Sequence, residues 1–120
     1  MDQNIWEYDD FIFKGDELKG MTQKGKDKVK VEGKTDLVIP ELTPDGLPLK
    51  KIADNAFYRR GLTSVVIPNT VESIGYDAFG VCKLKEVKLP EALVNIEGFA
   101  FYRNKLAKVE FGSKVKRIEP

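Results

Sequence analysis

From Leu37 onward the apolar positions of the chain recur at a fixed interval. Shifting the second half by 22 residues aligns Leu62 with Leu84 and Leu106, and Val65 with Val87 and Val109. The same shift aligns Ile67 with Leu89 and Phe111, and Val71 with Leu93 and Val115. Ile52, Ile74, Ile96 and Ile118 form a further column, and the pairs Ala56-Phe57, Ala78-Phe79 and Ala100-Phe101 another. Self-similarity of this kind marks a solenoid, in which one coil cannot bury its apolar face until its neighbours stack on it. Within a coil, Val65-Val66-Ile67 is β-branched and too short for a helix, which predicts a brief strand. Pro68 and Pro90 end the strands, because proline has no N–H for a ladder and drives the preceding residue into extended backbone. The following Ile74-Gly75-Tyr76-Asp77-Ala78-Phe79 predicts one helical or 3₁₀ turn with Phe79 directed into the core. Coils stacked at the strand spacing of about 4.8 Å would turn each apolar column into a buried ladder.

An earlier, irregular unit fits the pattern when Leu37-Val38-Ile39-Pro40 is set against Val65-Val66-Ile67-Pro68. Extra residues between Glu41 and Leu49, with Pro44-Asp45-Gly46 and Pro48 among them, predict a turn-rich loop. The units then run over 37–61, 62–83, 84–105 and 106–120, the last incomplete because another Ala-Phe pair would be due beyond Pro120. An open last coil is expected either to continue into further repeats of a parent chain or to pair with a second copy at its edge.

The units resemble the leucine-rich repeats of BspA-like, or Treponema pallidum type, bacterial proteins, written approximately L-x-x-V-x-I-P-x-x-V-x-x-I-G-x-x-A-F. Leu62 to Phe79 follows that pattern closely; Leu84 to Phe101 has Leu89 for Ile, Leu93 for Val and Glu97 for Gly. Leu106 to Ile118 departs further, with Phe111-Gly112 in place of Ile-Pro. The resemblance implies a leucine-rich-repeat solenoid with a curved parallel β-sheet on the concave side and short helical or 3₁₀ turns on the convex side. It also implies a surface or secreted bacterial protein acting in adhesion or protein recognition, with a host matrix or cell-surface protein as partner. The architectural alternative is a spacer that displays another part of a larger protein. No catalytic residue comes with the resemblance.

Residues 1–36 lie outside the period and are expected to form an N-terminal β cap of the same domain. Phe11-Ile12-Phe13, Lys14-Gly15-Asp16 and Glu17-Leu18 predict a hairpin, and Val29-Lys30-Val31 a further strand before Gly33. A first coil without a cap would expose its apolar cross-section, so Trp6, Phe11 and Phe13 are read as the plug.

Composition narrows the chemistry. Twenty Lys and Arg against nineteen Asp and Glu leave a net charge of +1, which gives no general attraction to nucleic acid or an anionic membrane. The absence of His removes imidazole bases, Ser/His/Asp triads and imidazole zinc sites. An enzyme would have to work with carboxylates, Lys or Tyr alone; no cofactor and no metal is expected. The single cysteine, Cys82, has no second thiol to bridge and no partner to generate a thiolate, so it is read as structural. No apolar run approaches the roughly 18 residues of a membrane helix, and Met1-Asp2-Gln3-Asn4 has neither the charged nor the apolar region of an export signal.

With Val65 and Ile67 pointing inward, Ser64 and Val66 face the concave solvent, joined in the same columns by Glu86, Lys88, Lys108 and Glu110. These six are the candidate binding residues. Adjacent coils would set Glu86 beside Lys108 and Lys88 beside Glu110, cross-strand pairs worth roughly 0.2 to 1 kcal/mol each. On one flank, Tyr58, Arg59 and Arg60 match Tyr102, Arg103 and Lys105, but Gly80 and Val81 interrupt the series and nucleic-acid recognition is not expected. Asp9-Asp10 and Asp16-Glu17 are paired carboxylates without calcium-loop spacing.

Overall fold

A computed structural model describes residues 5–110 and the strand pair 117–118. A 3₁₀ turn at Tyr8–Asp10 leads into β1 (Phe11–Lys14), β2 (Glu17–Met21) and the helix α1 (Gln23–Lys30). The strands β3 (Asp36–Val38), β4 (Lys51–Ile52), β5 (Ser64–Val66), β6 (Ser73–Ile74), β7 (Glu86–Lys88), β8 (Asn95–Ile96), β9 (Lys108–Glu110) and β10 (Arg117–Ile118) follow. Each regular unit therefore supplies two strands rather than one. Phe111, Val115 and Pro120 lie outside the described residues, as does the question of how the last coil is covered.

Parallel ladders hold the coils in the register expected from the repeat. β3 pairs with β5 through Leu37 and Val65, and β7 with β9 through Val87 and Val109. The second strand of each unit builds the longest sheet, ordered β1-β2-β4-β6-β8-β10, with Ile52, Ile74, Ile96 and Ile118 in register. The expected single sheet on the Val-x-Ile side is instead divided. Among the described residues no backbone hydrogen bond joins β5 to β7, so that side carries two separate two-stranded sheets. The inter-coil contact there is held by the Ile-column ladder and by the core behind it, where Leu62, Leu84, Val71, Leu93 and Ile74 are fully buried.

The predicted helical or 3₁₀ turn before each Phe is absent. Asn55, Asp77 and Phe99 have φ of 59°, 54° and 60°, and Arg59, Val81 and Arg103 have φ of 59°, 53° and 57°. A left-handed residue every fourth position cannot propagate a right-handed helix, and the chain makes consecutive turns instead. The turns nevertheless deliver the phenyl rings as expected. Phe57 and Phe79 stack with centroids 5.3 Å apart at 14°, and Phe79 and Phe101 at 5.4 Å and 5°. Both are offset parallel pairs, the favoured geometry for aromatic faces.

The N-terminal hairpin is present, with Lys14 opposite Glu17 around a turn in which Gly15 takes φ of 59°. Its second strand adds directly to the repeat sheet: β2 is parallel to β4, and Leu18 pairs with Ile52 at the head of the Ile column. Phe11 is buried, and Trp6 and Phe13 are partly buried against the core. The strand expected at Val29-Lys30-Val31 is a correction: this stretch ends α1. Thr22 caps the helix, its hydroxyl accepting from the Gly25 N–H at 3.2 Å, and Gly25, Lys28 and Val29 face inward at helical spacing. Lys in an inward position concealed the period, and only a tertiary partner explains it. Lys28 Nζ donates to Asp10 Oδ2 at 2.6 Å and to the Ile5 carbonyl at 2.6 Å, while Asp10 Oδ2 also accepts from the Glu7 N–H at 2.8 Å. Asp10 and Lys28 are the buried charged side chains among the described residues.

Three variants test this cap. Lys28→Ala leaves the Asp10 carboxylate buried without its ammonium and is expected to cost about 3–5 kcal/mol, whereas Lys28→Met with Asp10→Asn recovers most of the loss; urea unfolding reads both. Gly25→Ala would raise helix propensity, yet a Cβ there meets the Asp10 backbone. It is therefore expected to lower stability by about 1–3 kcal/mol in the same measurement.

Candidate functional site

The strand face carries the six candidate residues. Alternation along β5 and β7 buries Val87, half-buries Val65 and leaves Ser64, Val66, Glu86 and Lys88 exposed, as the strand period requires. Glu110 is exposed on β9. The ladder sets Glu86 opposite Lys108 and Lys88 opposite Glu110, the register expected from the repeat; the side chain of Lys108 lies outside the described set. Where β5 and β7 part, Ser64, Val66, Glu86, Lys88 and Glu110 rim a groove of about 330 Å³ with Val65 and Val87 at its base. This groove is a product of the divided sheet and has no counterpart in the sequence.

The turns form a second face. Their N–H groups are used between coils: Asn55 N donates to Tyr76 O at 2.8 Å, Phe57 N to Ala78 O at 2.7 Å and Phe79 N to Ala100 O at 2.8 Å. Side chains finish the same task. Cys82 Sγ donates to Phe57 O at 3.4 Å, and one coil on Asn104 Nδ2 donates to Phe79 O at 2.8 Å. Thiol and amide thus occupy one column and serve one purpose, which gives Cys82 the structural role expected of it.

The two flank clusters seen in the sequence are ordered by cation–π contact. Arg59 lies over the Tyr58 ring at 5.4 Å and Arg103 over Tyr102 at 5.5 Å. The Tyr102 hydroxyl, accepting from Arg103, and then the more distant Tyr58 push the Arg103 pKa up. Phe99 and Tyr76 were not singled out by sequence reasoning, yet the fold brings both here. Tyr76 meets Phe99 at 5.6 Å and Phe99 meets Tyr102 at 5.0 Å, both edge to face. The signal that could have found Phe99 is its column, occupied by Asn55 and Asp77 in the preceding coils.

At the capped end, Trp6, Tyr8, Phe11, Lys34, Val38 and Pro40 line a cleft of about 440 Å³. The Trp6 indole donates to Asp36 O at 2.8 Å and lies under Lys34 at 5.5 Å, so its polar atom and one face are occupied within the fold. The acidic pairs of the cap do not converge. Asp10 turns to Lys28, Asp9 to Lys24 at 2.9 Å and Glu17 to Lys19 at 3.4 Å. Among the described residues no group of three or more His, Cys, Asp or Glu could hold a metal ion, and no helix is long and apolar enough to cross a membrane.

Comparison with known proteins agrees with this geometry. Residues 50–120 match the family described as "BspA type Leucine rich repeat region (6 copies)". The chain belongs to the BspA-type leucine-rich repeat family. Among solved structures it is similar to a leucine-rich repeat protein from Bacteroides capillosus, at 21% identity and a TM-score of 0.51 over 79% of this chain and 85% of that one. No curated protein matches. Repeats of this family are in general non-enzymatic scaffolds for protein recognition.

The position of Cys82 yields a direct measurement. At 6% exposure with its sulfur on Phe57 O, the thiol is expected to react with a disulfide reagent only as fast as the protein opens, and at once in denaturant. Immediate reaction of the native protein would contradict the structural role.

Proposed function

We propose that this chain is a protein-recognition module of a surface or secreted bacterial protein, acting in adhesion through the strand face of its repeats. The observation that carries this reading is the groove between β5 and β7, rimmed by exposed residues of three strands. Ser64 and Val66 supply a small neutral end; Glu86, Lys88, Lys108 and Glu110 supply alternating charge that fixes the orientation of a partner more than it adds affinity. Two short two-stranded sheets, each with strands about 4.8 Å apart, cover only a few hundred Å², below the roughly 800 Å² per partner of a standard interface. Recognition by this segment alone is accordingly weak, and tight binding takes more coils or several copies.

Biolayer interferometry against a panel of immobilised extracellular-matrix proteins tests the reading. Capture by one of them is expected to fall about tenfold or more when Glu86, Lys88, Lys108 and Glu110 are all changed to Ala, with the thermal midpoint little altered. Undiminished capture by that variant overturns the strand-face assignment. Capture by none of the panel favours the spacer.

A further inference from the structure

The turn face carries a feature that neither the fold nor the strand-face reading requires. In a column where Asn55 and Asp77 hold the left-handed turn, the third coil has Phe99 at φ of 60°. The stack imposes left-handed backbone on every coil, at Arg59, Val81 and Arg103 as well, so what sets Phe99 apart is a large apolar side chain in a column whose other members are short and polar. Phe99 does not reach the core. It is 44% exposed and stands between Tyr76 and Tyr102, both 45% exposed, so three rings in edge-to-face contact form a continuous apolar platform in water. At one end Arg103 covers Tyr102, and two coils away, about 10 Å at the strand spacing, Arg59 covers Tyr58. Gly80 fills the intervening position between Tyr58 and Tyr102, where a side chain would meet the Asp77 carboxylate first and then the Tyr58 ring.

We propose that Tyr76, Phe99 and Tyr102, with Arg59 and Arg103, form a binding platform for an anionic polysaccharide built of uronic-acid rings. The C–H face of a pyranose ring is apolar and flat and stacks on an aromatic ring, while its carboxylate suits the planar fork of a guanidinium. Two arginines separated by two coils match carboxylates on alternate or successive sugars of one chain. An acidic peptide offers carboxylates too, but an extended peptide gains most of its affinity by main-chain pairing at a free strand edge. Among the described residues the turn N–H groups of Asn55, Phe57, Arg59, Phe79 and Val81 already donate to the next coil, so these positions offer no such edge. A ligand lying across them binds by side-chain stacking and by charge, which favours the sugar. The platform is separate from the strand-face groove, so the two assignments stand or fall independently.

Isothermal titration of the chain with polygalacturonate, dextran and poly-L-glutamate tests the proposal. Polygalacturonate is expected to bind with an affinity that falls as salt rises, and the neutral dextran and the polypeptide to bind at least about tenfold more weakly. Phe99→Asn installs the residue type of the column; it should weaken binding about tenfold, or about 1.4 kcal/mol, while the thermal midpoint holds or rises. Arg103→Ala should weaken binding to a similar extent and flatten the salt dependence. If Phe99→Asn lowers the thermal midpoint, Tyr76→Ser at its exposed position carries the same expectation. The variant with all four strand-face charges changed to Ala should bind polygalacturonate like the original chain. No binding of polygalacturonate, equal binding of poly-L-glutamate, or full binding by the ring variants overturns the proposal.

Discussion

Everything in this molecule follows from one requirement: that each coil cover the next at a constant rise. Backbone ladders set that rise near 4.8 Å, and the apolar columns must tolerate it. The phenyl stack shows how the demand is met. Phe57, Phe79 and Phe101 sit 5.3 and 5.4 Å apart and nearly parallel, an offset stack that follows the backbone repeat without opening a void. Replacing the middle ring by Ala would cost on the order of 3–5 kcal/mol, a large part of the stability of a domain this size. Because contact runs only between neighbouring coils, stability here is a sum of nearest-neighbour terms, and an end without a neighbour needs its own solution.

At the N-terminal end that solution is continuous with the repeat. β2 is not a lid placed over the first coil but another rung of its ladder, with Leu18 in the Ile column. The helix α1 and the 3₁₀ turn ahead of β1 are then tied to each other by Lys28 and Asp10, buried together and bonded at 2.6 Å. A buried ion pair is seldom a net gain over apolar packing. Its effect is to specify how helix and hairpin meet, since any other docking would strand a charge away from water.

The same constraint divides the surface into two faces with different chemistry. Strand faces expose alternate side chains along a flat ladder, so charge there is read in cross-strand pairs, as with Lys88 and Glu110. Turn faces consume their N–H groups between coils and project side chains outward. Among the described residues the N–H groups of Asn55, Phe57, Arg59, Phe79 and Val81 are taken up in this way, which leaves rings and guanidinium groups to meet a ligand there. Leucine-rich repeats that recognise proteins by one face therefore leave the other open to a separate use, and Phe99 lies on that second face.

Much of this was legible from residues alone because a solenoid converts a local period into a contact map. The alignment of Val65 with Val87, or Ile74 with Ile96, is already a statement about adjacent strands, and so are the pairings of Glu86 with Lys108 and Lys88 with Glu110. The same period that placed the buried phenyl column also located the hairpin by its absence. What the period could not convey is any contact between parts that do not repeat. Lys28 disguised a helix as a strand because its partner, Asp10, is 18 residues away in a different element. The turns passed for helical because left-handed backbone at Val81 or Arg103 leaves no mark in residue type. The groove between β5 and β7 and the ring platform at Phe99 depend on how coils settle against each other by fractions of an ångström and on side-chain direction. Chain order determines which residues can stack; only their packing in three dimensions decides which backbone groups meet and which surface is left to bind.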